Sequence, residues 1–124
     1  FVSKISSNNL IREKMVEIQR KISKNKSIVI DGRDIGTVVF PDADYKFFIT
    51  ASIEARARRR FEEVGVKNKL ENINSIMEEI KNRDYLDSTR KVSPLKKASD
   101  ATLIDTTHLS IDEQVNLILE KINK

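Results

Sequence analysis

Three short runs of strand-forming residues, set among segments of helical length, constrain this sequence most. They are Ser27-Ile28-Val29-Ile30-Asp31, Tyr45-Lys46-Phe47-Phe48-Ile49-Thr50 and Ala101-Thr102-Leu103-Ile104-Asp105. The first is β-branched through its centre and stops at Gly32, the pattern of a strand covered on both faces. The turn-forming Pro41-Asp42-Ala43-Asp44 introduces the second. Residues 8–24 place Leu10, Met15, Ile18 and Ile22 on one helical face, with Asn8 or Asn9 as the cap and Asn25-Lys26 as the stop. Ser52 opens a helix to about Glu63, which Gly65 breaks before a polar connection over 66–70. Ile73, Ile76, Met77 and Ile80 mark a helix from 71 to about Arg90, and Pro94 blocks its extension. Ser110 with Glu113 forms a capping box for a last helix bearing Val115, Leu117, Ile118 and Ile122. Crossovers of this length predict an α/β fold with a parallel sheet of three strands and flanking helices. Three strands make a small and exposed sheet, so the pattern reads as part of a larger one.

At 124 residues the chain is one domain's worth. A hydrophobic fraction of 39% with 34% charged residues fits neither a disordered nor a membrane-spanning chain. No apolar run approaches the roughly 18–20 residues that cross a bilayer. The start, Phe1-Val2-Ser3, lacks Met and a signal-peptide pattern, which suggests a partial chain. Absence of cysteine excludes a disulfide framework, thiolate chemistry and Cys-based zinc sites, and it fits a reducing cytoplasm. The single histidine, His108, cannot form a His-rich metal site and reads as a loop residue, so no metal ligands are expected. A net charge of +4 is mild and suits an anionic ligand or a nucleic acid.

Three constellations can carry chemistry. In Asp31-Gly32-Arg33-Asp34-Ile35-Gly36-Thr37, the charged residues follow a strand end, where open α/β sheets bind ligands. Gly32 and Gly36 permit a tight turn or a close backbone approach. Arg33 can take a pair of phosphate oxygens, and Asp34 can accept from an exocyclic amine or a hydroxyl. The plainer alternative is a turn whose Arg33 and Asp34 pair with each other at the surface. Arg83, Asp87 and Arg90, four and seven residues apart, share one helical face. That face suits a sugar-phosphate, yet spacing alone fits a solvated ladder of about 0.3–0.5 kcal/mol per pair better. Arg56, Arg58, Arg59 and Arg60 crowd one helix and repel one another unless an anion joins them. They suit a segment closing over transferring phosphates, or a nucleic-acid patch; few aromatics nearby and the small total charge count against the patch. With three glycines and no Gly-x-x-x-x-Gly-Lys-Ser/Thr, no P-loop can be drawn on these residues.

Taken together, the segments resemble bacterial cytidylate kinases. The resemblance rests on Ile30 through Ala43, on Arg83-Asp84 with Asp87 and Arg90, on Ser93-Pro94-Leu95, and on Asp100-Ala101 leading to Asp105-Thr106-Thr107. It implies an incomplete P-loop kinase fold, with the P-loop upstream of this segment. It also implies transfer of the γ-phosphoryl of ATP to CMP or dCMP, with Mg2+ held largely by groups outside these residues. Residues 1–24 then end the CMP-binding insert, 27–50 hold core strands, 51–70 form the lid region, and 71–124 supply a CMP-contacting helix and core. Ser3, Arg12 and Asp34 match cytosine contacts, Arg33 and Arg90 phosphate contacts, and Arg83 and Asp87 ribose contacts. The arginine-rich helix resembles the lid. The partners implied are CMP, dCMP and ATP, with no nucleic acid and no membrane, for a cytoplasmic monomer. The segment alone is expected to be inactive. Another nucleoside monophosphate kinase and a small basic nucleic-acid-binding module remain the alternatives.

Overall fold

A computed structural model describes residues 8–64 and 72–123. The chain divides into two compact units. One runs up to Lys46 and includes Arg83–Ala101; the other comprises Phe47–Asn82 and the residues from Thr102 onward. Ser3 and the expected break and connection at 65–70 lie outside the described residues.

In the first unit, helix α1 spans Asn9–Ser23. Asn8 caps it: its side-chain oxygen accepts from the N–H groups of Leu10 and Ile11 at 3.1 and 3.3 Å, a cap typically worth about 1 kcal/mol. Asn25, at φ 61°, takes the left-handed conformation that Asn tolerates past a helix end. The next run, Ser27–Asp31, forms no strand. A buried parallel strand needs neighbours on its ladder and cover on its faces. Here Ile28 is exposed, Val29 is wholly so, and no described strand pairs with the run. After it the chain enters one π-helical turn, Ile35–Val39, whose Val39 is buried.

The second unit holds the sheet. Strands β1 (Phe47–Thr50) and β2 (Thr102–Asp105) pair in parallel, with Phe47 opposite Thr102 and Thr50 opposite Asp105. Two of the three expected strands therefore form a ladder, and the architecture is α/β with a parallel sheet and flanking helices. Thr106 N–H extends the ladder to the Thr50 carbonyl at 2.7 Å. Helix α2, Ile53–Val64, begins where the Ser52 hydroxyl accepts from Ala55 N–H. Helix α3, Ile73–Thr89, begins where Asn72 Oδ1 accepts from Ser75 N–H at 2.8 Å. Its first part belongs to this unit and its last turns to the first unit. Helix α4, Ile111–Ile122, opens with the full Ser110–Glu113 capping box. Ala57, Ile76 and Ile104 form this unit's buried apolar centre. No helix among the described residues is long and apolar enough to cross a membrane.

Candidate functional site

Six of the sequence-predicted residues converge in the first unit. Arg12 comes from α1, Arg33 and Asp34 from the segment before the π-helical turn, Arg83 and Asp87 from the last turns of α3, and Arg90 from just beyond it. Arg12 Nη2 donates to Asp34 Oδ2, and both side chains are largely buried. Arg33 Nε donates to Asp87 Oδ2. Arg83 Nε lies 3.8 Å and Arg90 Nη1 3.9 Å from the same carboxylate. Arg33 and Asp34, adjacent in sequence, thus pair with different elements and not with each other. The Asp87 side chain is only 2% exposed, so the helical face it shares with Arg83 is no solvated ladder.

Arg90 is the electrostatic centre of the group. Its guanidinium is shifted below the ordinary arginine value, first by burial and then by the charge of Arg12. Asp87 and Asp34 act in the opposite direction. Four guanidinium groups against two carboxylates leave two positive charges, which matches a dianionic phosphate. Burial of such a group is costly unless its charges are paired, and here the two aspartates provide the pairing.

The backbone after α3 is folded onto the cluster. Leu95 N–H donates to the Asp87 carbonyl at 2.7 Å, and Arg90 Nε donates to the Ser93 carbonyl at 2.6 Å. Ser93 stands at φ 51°, a conformation costing a non-glycine residue about 1 kcal/mol or more. The two bonds offset that cost and give Ser93-Pro94-Leu95 its local role. Nearby, Gly36 makes room for a lysine stem: a Cβ there would stand 3.3 Å from Lys46 Cδ. Lys46 Nζ donates to the Pro41 carbonyl and pairs with Asp100 at 2.9 Å. Its hydrogen bond holds the Asp100 carboxyl below the usual carboxylate value. An open cleft of about 520 Å³ is walled by one face of α1, from Asn9 to Arg20, with Val38, Val92 and Ser93.

The four arginines of α2 behave differently. Arg59 Nη1 donates to Thr106 Oγ1 at 3.1 Å, and its Nη2 donates to the Thr106 carbonyl. Arg56 Nε donates to the Ala51 carbonyl at 3.1 Å. Arg60 pairs with Glu79 at 3.0 Å. Arg58 is exposed.

The amino-acid sequence matches the cytidylate kinase family profile over residues 1–124. The chain belongs to the cytidylate kinase family. A protein named cytidylate kinase from Fusobacterium nucleatum is 50% identical over 123 residues, which cover 99% of this chain and 56% of the relative. One of the same name from Clostridium botulinum is 52% identical over 99% of this chain and 57% of its own length. A third, from Bacteroides fragilis, is 50% identical and covered over 54% of its length. The chain thus spans about half the length of the curated relatives it matches.

Sequence reasoning passed over Arg20, whose guanidinium bonds two carbonyls of the π-helical turn. Nothing in the spacing of the basic residues on α1 separates it from Lys14 or Lys21. Only the contact identifies it.

Proposed function

We propose that this chain supplies the acceptor side of a cytidylate kinase, which transfers the γ-phosphoryl of ATP to CMP and dCMP. The observation that carries the reading is the cluster of four arginines and two buried aspartates with an excess of two positive charges. In this reading Arg33 and Arg90 hold the CMP phosphate, and Arg83 with Asp87 holds the ribose hydroxyls. Ser3, Arg12 and Asp34 read cytosine: the exocyclic amine of C donates to a carboxylate, whereas uracil presents an acceptor there. An oxygen of the bound CMP phosphate attacks the γ-phosphorus of ATP. A new P–O bond forms as the bond to the bridging oxygen breaks, and ADP leaves. Such transfer rests on positioning and charge neutralisation.

Arg56, Arg58, Arg59 and Arg60 belong to the lid in this reading, with exposed Arg58 the most available to the transferring phosphoryl group. Residues 1–24 end the CMP-binding insert, 27–50 contribute to the core, 51–70 to the lid and 71–124 to the CMP-contacting helix and core. Mg2+ accompanies ATP in the reaction. Among the described residues no three His, Cys, Asp or Glu side chains converge as a metal site. Mg2+ bound with ATP takes its ligands largely from phosphates and water, and no step here runs through it. The proposal extends to a cytoplasmic monomer whose partners are nucleotides.

The test is a coupled assay on a full-length chain carrying this segment, with CMP and UMP compared. ADP formation should depend on CMP, with kcat/KM for UMP lower by about 10- to 100-fold, the scale of one base-reading contact. Asp34→Asn should narrow that gap. Equal turnover of CMP and UMP by the parent protein would overturn the cytosine assignment, and absence of CMP-dependent ADP would overturn the function. The 124-residue segment alone should give no turnover.

A further inference from the structure

Arg20 lies eight residues beyond Arg12 on α1, on the same wall of the cleft. Its Nε donates to the Val39 carbonyl at 2.9 Å and its Nη2 to the Val38 carbonyl at 2.8 Å. Those two residues end the π-helical turn Ile35–Val39. The last carbonyls of any helix lack partners within it and sit at its negative end, so a planar cation with two parallel donors is a fitting cap. At the other end of the turn stands Asp34, whose carbonyl accepts from Val38 N–H at 2.9 Å and whose carboxylate is held by Arg12. One helix therefore grips both ends of one turn with two arginines. Arg12, Val16, Arg20 and Val38 also line the cleft. The two arginine contacts therefore tie the turn to α1 at both of its ends.

We infer that Arg20 is a positioning residue for Asp34, and through it for recognition of the pyrimidine base of the acceptor. The inference rests on the reading of Asp34 as a cytosine contact. Arg20 touches no substrate. It clamps the C-terminal end of the turn so that the Asp34 carboxylate at the opposite end keeps its angle toward Arg12 and toward the base. A lysine can reach one carbonyl as a point donor but cannot reproduce the paired geometry.

The experiment compares Arg20→Met and Arg20→Lys with the parent in a full-length chain. Steady-state kinetics with CMP and UMP is combined with hydrogen exchange of the Val38, Val39 and Phe40 amides in the ligand-free protein. Arg20→Met should raise KM for CMP about 10-fold, the scale of a lost charge-assisted pair, with kcat and KM for ATP little changed. The CMP-to-UMP preference should shrink in step, and the three amides should exchange about 10-fold faster. Arg20→Lys should fall between. Amide exchange unchanged in Arg20→Met overturns the inference whatever the kinetics. Equal loss on CMP and UMP overturns it too, by assigning Arg20 a merely structural role. A parent without CMP-dependent ADP formation instead sinks the functional reading, and faster exchange in the variant would then still support the clamp.

Discussion

The two units of this chain both rely on arginine, and they weight its partners differently. In the first, Arg12 and Arg33 each meet a carboxylate, and Asp87 lies within 4 Å of Arg83 and Arg90 as well. In the second, Arg56 and Arg59 are spent on backbone carbonyls, Arg60 on a partly exposed glutamate, and Arg58 faces solvent. A guanidinium on a carboxylate can exchange that partner for another anion of similar shape. A guanidinium on a carbonyl is a structural tie, because no ligand replaces the backbone. Arg20 and Arg90 of the first unit are tied to carbonyls as well, so the contrast is one of balance: carboxylate partners gather in the first unit around Asp34 and Asp87.

The strongest challenge to that distinction is removal of the shared carboxylate. Asp87→Ala leaves Arg33, Arg83 and Arg90 without their counter-ion. Breaking a buried pair costs about 3–5 kcal/mol, and the partial exposure of Arg33 and Arg83 places this case at about 3 or below. Denaturant unfolding should report that loss, together with a fall in kcat/KM for CMP of about 100-fold or more. If stability drops and CMP kinetics do not, the cluster is structural and the contrast between the units collapses.

A smaller effect distinguishes neighbours on one helix. Arg59→Met removes hydrogen bonds to Thr106 and should cost about 1.5–3 kcal/mol in unfolding free energy. Arg58→Met, one position away, should stay within about 0.5 kcal/mol. Its cost should fall instead on KM for ATP in the full-length enzyme. Matching stability losses for the two would show that the ties to Thr106 carry nothing.

The smallest effect concerns the end of β2. Asp105 accepts from Thr107 Oγ1 at 2.6 Å and from Thr107 N–H at 3.0 Å, and these bonds hold its carboxyl below the usual value. With the folded value depressed, the associated stabilisation is complete above the unfolded carboxylate's value. It is lost as pH falls through the folded one. Thr107→Val should move the Asp105 titration back toward an ordinary aspartate, read by carboxyl NMR; it also removes the acceptor of Ser52 N–H, so stability at neutral pH should fall by about 1 kcal/mol. An unmoved titration would mean the side-chain hydroxyl is not the cause.

Much of this organisation was legible in the sequence, and the parts that were not have physical reasons. Helix bounds came through within about two residues because caps are local chemistry, as at Asn8 and Ser110. Ser27–Asp31 misled because a both-faces-buried strand is written in its own residues but stabilised by neighbours, which the described structure does not provide. Arg83, Asp87 and Arg90 were visible as one helical face, yet the burial of Asp87, which speaks against a solvated ladder, is a tertiary fact. Arg58 and Arg59 are indistinguishable as letters. Only the position of Thr106 after β2 gives one of them a fixed task.

The π-helical turn at Ile35–Val39 carries one more consequence, for tolerated change in this family. A π turn is an α turn widened by one residue, so its length is the fixed quantity. Deleting one residue within it would rewind the segment and rotate the chain on its N-terminal side by about 100° relative to the chain on its C-terminal side. Arg12 and Arg20, fixed on one helix, could then no longer hold Asp34 and the carbonyls at the far end of the turn at once, even with every surviving letter intact. Apart from Gly36 and buried Val39, single substitutions along the turn leave its geometry in place; a change in its count does not.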